Sequence, residues 1–201
     1  MFLINYFKKS TYLLLKKFYI RLIIFTDSIF IFLISLKIIK DITNEILFIR
    51  IDMVGDLFSW LPLLKSEFSQ KISIICSDNV SDYLKSLNIF TGVYPLDIER
   101  FKIIGLYRYR MMNLFIKINP RITVNARFSR SIILDDSICR IFKNSKTNIV
   151  GINGDNFNIS AEDKIISNNW YCEIIEIPRN IKNEIQRNKY ILAKIKEMNN
   201  E

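Results

Sequence analysis

From residue 46 onward, short runs of β-branched residues alternate with stretches of helical pattern, and this alternation restricts the possible fold more than any other feature. Strands separated by helices of this length are typical of βαβ units and predict a parallel sheet. We therefore predict an α/β fold with a parallel sheet flanked by helices. The predicted strands are residues 46–52, 71–76, 93–96, 121–127 and 148–152, and the predicted helices are 57–68, 80–87, 101–117, 131–142 and 179–201.

The first forty residues differ from the rest of the chain in charge. Seven Lys or Arg residues stand there against one acid, so 7 − 1 = +6 of the net charge of +9 lies in this segment. Its apolar run, residues 22–36, contains Thr26, Asp27 and Ser28 and is shorter than the ~18 uncharged residues expected of a spanning helix. We predict that residues 1–44 are N-terminal helices on an anionic membrane surface. Packing of these helices on the domain is the alternative.

The composition excludes several kinds of site. No histidine is present, so Ser-His-Asp and Cys-His catalysis are excluded, and proton transfer must use carboxylates, Lys, Tyr or Cys. The three cysteines, Cys76, Cys139 and Cys172, are odd in number and far apart in the sequence. We therefore expect no disulfide framework and no metal site, and predict that the cysteines are small buried side chains in a reducing compartment.

The loop after the first predicted strand, from Arg50 to Asp56, carries the candidate chemistry. Ligands of an open parallel sheet bind where strands end and helices begin. Gly55 would permit a tight turn and close approach of a ligand, and Asp56 falls near a helix N-terminus, where the helix dipole favours its ionised form. Such a carboxylate can accept a proton from a sugar hydroxyl. Helix capping by Asp56 and turn capping by Asp52 are the structural alternatives.

A second group of candidate contacts follows the fourth predicted strand. Arg127, Ser129 and Arg130 would meet an anionic acceptor there, since guanidinium groups bind phosphate and carboxylate well. A solvated loop is the alternative for these three residues. We interpret the adjacent acids Asp135 and Asp136 as helix-face residues without a chemical role, and residues 154–156 as a turn.

Residues 48–68, FIRIDMVGDLFSWLPLLKSEF, resemble the opening strand, loop and helix of glycosyltransferase family 9, the heptosyltransferases. The family pattern there is a hydrophobic strand, then R-x-D-x-x-G-D, then an apolar stretch with a proline. Arg50, Asp52, Gly55, Asp56 and Pro62 match it. Residues 125–160 resemble a later part of that domain in a subset of the family, so the resemblance extends approximately over residues 46–188.

The resemblance implies that residues 45–201 form one Rossmann-like half of a GT-B enzyme, the acceptor-side domain. The implied reaction is inverting transfer of a heptose from ADP-heptose to a lipopolysaccharide core, or a related lipid-linked glycan. Asp56 would be the general base, Gly55 would admit the acceptor, and Arg50 and Asp52 would contact substrate. No cofactor is implied beyond the nucleotide-sugar donor. The implied location is cytoplasmic, on the inner face of the membrane.

The family also implies a second domain for the donor, and we expect this domain to be absent from the chain. The chain would then be either a fragment of a split gene or one half of a two-chain enzyme, with a separate donor-domain chain as partner. A membrane-associated glycan-binding module without enzymatic activity is the alternative function. Nucleic-acid binding would rest on the basic charge alone. Because the cations cluster beside an apolar run instead of along a recognition helix, we expect no nucleic-acid partner.

Overall fold

The computed structural model describes residues 2–35, 42–51, 54–67, 71–143 and 145–200. Residues 1–38 and 39–201 form two separate compact units. The first contains helix α1 (Phe2–Ser35). The described elements of the second, in chain order, are β1 (Thr43–Arg50), α2 (Val54–Glu67), β2 (Ile72–Ser77), a 3-10 turn (Asp78–Val80), α3 (Ser81–Ser86), β3 (Gly92–Leu96), α4 (Ile98–Phe101), α5 (Leu106–Ile116), β4 (Pro120–Asn125), α6 (Asp135–Arg140), β5 (Asn148–Asn153), α7 (Ala161–Asn168), β6 (Glu173–Glu176) and α8 (Glu184–Asn200).

The six described strands form one sheet in the order β3-β2-β1-β4-β5-β6, and every pair is parallel. β1 lies at the centre, where Ile46 is in register with Ile72 on one side and with Ile122 on the other. The chain builds the sheet outward from β1 to β3, then returns to β4 and builds the other half. This is the predicted Rossmann-like fold, and β1 and β4 are where the direction of strand order reverses.

Both faces of the central strand are buried, as expected of a parallel sheet covered by helices. Ile46 and Phe48 belong to a core cluster that unites side chains of five strands with those of α2, α3 and α8. Phe48 packs edge to face on Trp60 of α2, with ring centroids 5.1 Å apart. The alternate residues Leu47 and Ile49 are equally buried but point to the opposite face. The hydrophobic run of β1 therefore fixes α2 directly above it.

Two predicted elements differ from the structure for local reasons. The helix predicted over residues 101–117 begins only at Leu106, as α5, because the backbone at Gly105 is fully extended, with φ 169° and ψ −178°. The short helix α4 before it ends at Phe101. The helix predicted over 131–142 is shortened to Asp135–Arg140, since residues 132–134 form a turn. A sixth strand, β6, and helix α7 were not predicted.

Over residues 2–35, the described part of the predicted N-terminal helices, the chain forms one continuous helix, α1. Thr26 and Ser28 do not break it, because their hydroxyls donate to the carbonyl oxygens of Leu22 and Ile24, one turn earlier. Within it, residues 11–35 are long and apolar enough to cross a membrane, contrary to the expectation that the apolar run is too short. A signal sequence or a core helix of a soluble protein meets the same criterion of length and composition.

Two of the three cysteines are buried as predicted, and the third is exposed. Burial raises the pKa of the Cys76 thiol to about 12 and raises that of Cys139 well above its usual value. Cys172 lies at the surface just before β6. Exposed and buried thiols therefore coexist in this domain.

Candidate functional site

A cleft of about 420 Å³ lies in the second unit beyond the carboxyl ends of β1 and β4. An open α/β sheet binds ligands at this place, because the helices that follow the two strands leave in opposite directions. The cleft is lined by Arg50, Asp56, Ala126, Arg127, Phe128, Ser129, Asp155, Phe157, Asn158, Glu184, Arg187, Asn188 and Ile191. Its walls come from the ends of β1 and β4, the first turn of α2, the loop after β5, and α8.

Arg50, the last residue of β1, holds the floor of the cleft together. It is 4% exposed, and its Nη1 donates to the Ala126 carbonyl oxygen at 2.5 Å. Its Nη2 donates to the Asp56 carbonyl oxygen at 3.0 Å, and its guanidinium lies 5.3 Å from the centre of the Trp60 ring. Arg50 therefore ties the ends of β1 and β4 to the start of α2. The predicted substrate contact at Asp52 lies outside the described residues.

Asp56 is an exposed residue of the first turn of α2 and forms part of the cleft wall. Helix N-termini in general attract negatively charged side chains, because their backbone N–H groups carry partial positive charge. The Ser59 hydroxyl lies 2.9 Å from the Asp56 carbonyl oxygen and 2.7 Å from Glu184 Oε1 of α8. The turn that carries Asp56 is thus connected to α8 as well as to β1.

Gly55 precedes Asp56 inside α2, not in a turn before the helix as the sequence analysis expects, because α2 begins at Val54. Its backbone does not require glycine, since no described glycine lies in the left-handed region, with φ between about +20° and +160°. A Cβ at Gly55 would meet no atom within 4 Å. The open space beside Asp56 leaves room for a ligand, and the role of Gly55 in admitting an acceptor stays a prediction.

The structure brings Arg127 and Ser129 to the cleft but buries Arg130 beneath it. Arg127 is 12% exposed, with Nη1 2.5 Å from Asp135 Oδ1. The Ser129 hydroxyl donates to Asp155 Oδ2 at 2.9 Å. Arg130 is 1% exposed, and its Nη2 donates to Ser167 and Asn168 of α7. Of these three residues, Arg127 and Ser129 therefore line the cleft, and the Arg130 cation is buried away from it.

A buried polar network lies behind that loop and explains the burial of Arg130. Asp135 and Asp136, interpreted above as helix-face residues, are fully buried in the first turn of α6. Asn125 at the end of β4 donates to both carboxylates, at 2.8 and 3.1 Å, and the Asp136 carboxylate lies 3.1 Å from Arg130 Nε. The Tyr171 hydroxyl donates to Asp136 at 2.5 Å.

The desolvation of this network changes its acid–base properties. Burial raises the pKa of Asp135 above its ordinary value, although the Arg127 guanidinium acts in the opposite direction. Burial and the Asp136 charge also raise the pKa of Tyr171 well above its usual value. These groups form a closed internal scaffold, and the carboxylates that line the cleft are Asp56, Asp155 and Glu184.

The second wall of the cleft was missed by sequence reasoning. It consists of Asp155, Phe157 and Asn158 after β5, and of Glu184, Arg187, Asn188 and Ile191 from α8. The Arg187 guanidinium stacks 4.0 Å from the centre of the Phe128 ring. These residues follow β5 and β6, far along the chain from Asp56, and no local pattern links them to it. Only a prediction that α8 packs against the start of α2 would have placed these residues beside Asp56.

The cleft combines carboxylates, guanidinium groups, amides and aromatic rings, a set that can hold a polar organic ligand and move a proton. Within the part of the chain that the structure describes, no group of three or more Cys, Asp or Glu side chains is arranged to hold a metal ion.

No protein-family model and no curated protein matches the sequence. Among solved structures, the fold is similar to that of E. coli heptosyltransferase WaaC with ADP, with a TM-score of 0.56 and 13% identity over 75% of this chain and 47% of that chain. A mutant form of enoyl thioester reductase from Candida tropicalis aligns with a TM-score of 0.38 and 15% identity, over 80% of this chain and 46% of that chain. E. coli K-12 YHDH with bound NADPH aligns with a TM-score of 0.35 and 12% identity, over 75% of this chain and 42% of that chain.

The chain spans about half the length of each of these structures. At these identities the likeness concerns the fold alone, and only the alignment with the heptosyltransferase has a TM-score above one half. The chain therefore has a glycosyltransferase-like Rossmann fold.

Proposed function

We propose that this chain is the acceptor-side domain of a glycosyltransferase of the heptosyltransferase type. It takes part in transfer of a heptose-like sugar from a nucleotide sugar such as ADP-heptose to a lipopolysaccharide core or related lipid-linked glycan. The observation that carries the proposal is the position of Asp56, an exposed carboxylate at a helix N-terminus in a cleft at the sheet's switch point. The fold shared with a heptosyltransferase supports it.

In the proposed reaction, Asp56 accepts the proton of an acceptor hydroxyl as the hydroxyl oxygen attacks the anomeric carbon of the donor. A new C–O bond forms on the face opposite the leaving group, and the bond from that carbon to the phosphate oxygen breaks. The nucleoside diphosphate leaves, so the anomeric configuration is inverted. The open space at Gly55 gives the acceptor room beside the base.

The other residues of the cleft have supporting roles in this proposal. Arg50 holds the backbone of Asp56 in place through its carbonyl oxygen. Arg127 and Ser129 face the acceptor from the end of β4. The apolar and basic helix α1 directs the protein to the inner face of the cytoplasmic membrane.

The test is a transfer assay with ADP-heptose and deacylated lipopolysaccharide core oligosaccharide. The assay uses the protein at the full length of its natural gene product, and ADP release and the mass of the oligosaccharide are measured. Because general-base catalysis contributes ~10²- to 10⁴-fold, Asp56→Asn should lower the rate by that factor. Asp82→Asn is the matched control, since Asp82 is an exposed acid in the first turn of α3 that does not line the cleft.

Transfer at the wild-type rate by the D56N variant would exclude the general-base role. The second candidate function is a glycan-binding module without turnover, and the many polar groups of the cleft favour it equally. Oligosaccharide binding without ADP release would select that function.

A further inference from the structure

Phe157, in the loop after β5, is 86% exposed, more than any other large apolar side chain that the structure describes. It lies in the wall of the same cleft as Asp56. Single exposed apolar residues are common on protein surfaces and by themselves need no explanation. Phe157 differs because it lies at a concave polar site and because the loop around it is firmly held.

The loop that carries Phe157 is attached to the loop after β4 by several contacts. Gly154 lies so close to Phe128 that a Cβ would be 1.6 Å from the Phe128 carbonyl oxygen. Asp155 accepts a hydrogen bond from the Phe157 backbone N–H at 3.1 Å and another from the Ser129 hydroxyl at 2.9 Å. The backbone of Phe157 is therefore fixed while its ring projects into solvent.

Polar groups suited to sugar hydroxyls line the same cleft as the ring. Asn158 donates to the Ser129 carbonyl oxygen at 3.2 Å, and Asp155 and Arg187 line the same cleft. Carboxylate, amide and guanidinium groups are planar and can bind adjacent hydroxyls. Ligand sites commonly combine an apolar surface with a few polar groups that fix orientation. This arrangement matches a molecule with one apolar face and a polar edge.

We propose that the Phe157 ring stacks on one face of a pyranose ring of the acceptor saccharide and so selects acceptors that present such a face. The inference rests on the proposed function, because it assigns the substrate class at the same cleft. In a chair with equatorial hydroxyls, the axial C–H bonds on one face carry partial positive charge, and an aromatic face carries partial negative charge. The hydroxyls at the ring edge remain available to Asp155, Asn158 and Arg187.

The test measures saccharide binding separately from transfer. Saturation-transfer NMR and titration of the full chain use deacylated lipopolysaccharide core oligosaccharide and methyl β-glucopyranoside as probes. Phe157→Ala should weaken oligosaccharide binding about fivefold to tenfold, as expected for loss of one aromatic contact. Phe157→Trp should retain it. Leu106→Ala is the matched control, because Leu106 is 76% exposed and lies outside the cleft.

Any one of three results would overturn the inference. The wild type and F157A could bind with equal affinity, F157W could lose binding, or the wild type could bind neither probe. Loss of binding to vesicles of phosphatidylglycerol in F157A, with saccharide binding unchanged, would assign the ring to a membrane instead. Binding is measured without donor, which separates this inference from the proposed function, because the transfer rate of the D56N variant tests that function. Phe157-dependent binding without any transfer would support the stacking site and exclude the proposed enzymatic function.

Discussion

Gly154 is required by close packing between two loops of the cleft wall. An added Cβ would lie 1.6 Å from the Phe128 carbonyl oxygen, and a backbone atom cannot move aside as the end of a flexible side chain can. We predict that Gly154→Ala destabilises the protein by about 1–3 kcal/mol, the usual cost of overpacking. Urea unfolding followed by circular dichroism measures the change.

Gly55 provides the matched control for that substitution. Because a Cβ there would meet no atom within 4 Å and the residue is helical, Gly55→Ala should leave stability unchanged or raise it by up to ~1 kcal/mol. Equal stability of G154A and the wild type would contradict the packing argument.

The residues of the cleft differ in how far sequence could predict them. Arg50 is the last residue of β1, and Gly55 and Asp56 follow it within six residues. The rule that ligands bind at the carboxyl ends of parallel strands therefore locates all three. Burial cannot be inferred in the same way, because the sequence does not show that Asp135 and Asp136 would supply buried partners for Arg127 and Arg130. Phe157 and Arg187 come to the cleft only through tertiary folding.

Helices α6 and α7 are connected through the guanidinium of Arg130. Arg130 contacts Asp136 of α6 and Ser167 and Asn168 of α7, and its guanidinium lies 4.7 Å from the centre of the Tyr171 ring. Removing the cation would leave the Asp136 carboxylate buried without its charge partner, which typically costs about 3–5 kcal/mol. We predict a loss of that size in the unfolding free energy of Arg130→Met, measured in urea.

Lys85→Met is the control for this prediction. It also removes a cation from an ion pair, but Lys85 and Asp82 are 53% and 93% exposed, and such pairs contribute under about 1 kcal/mol. If both variants lost the same small amount of stability, the Arg130 network would not connect the two helices.

The elements of the sheet were predictable where each strand has a strong apolar run, as in β1, β2 and β4. β6 was not, because its sequence EIIE has only two apolar residues, of which Ile175 is buried, and the strand lies at the sheet edge. The break between α4 and α5 depends on a fully extended Gly105, and a single glycine in a helical pattern does not specify that conformation.

The whole second unit has one organising feature, the reversal of strand order between β1 and β4. That reversal opens the cleft, and the contact of α8 with α2 supplies the second wall. The order of strands is a consequence of crossover connections that sequence periodicity does not reveal. The location of the site at the start of α2 was nevertheless predictable, because it depends only on β1 being followed by a helix.

The first unit is expected to bind lipid independently of the cleft. Exposed apolar residues of α1, among them Phe18, Phe25 and Phe32, recur every seven positions and so share one face of the helix. Lys16, Lys17 and Arg21 are also exposed, and each cation near an anionic surface contributes ~1 kcal/mol. In cosedimentation of the full chain with phosphatidylglycerol vesicles, the K16Q/K17Q/R21Q variant should therefore bind about a hundredfold more weakly. The K85Q/K102Q/K194Q variant loses the same charge from the second unit and should bind normally; equal weakening of both variants would mean that net charge, not α1, directs the protein to the membrane.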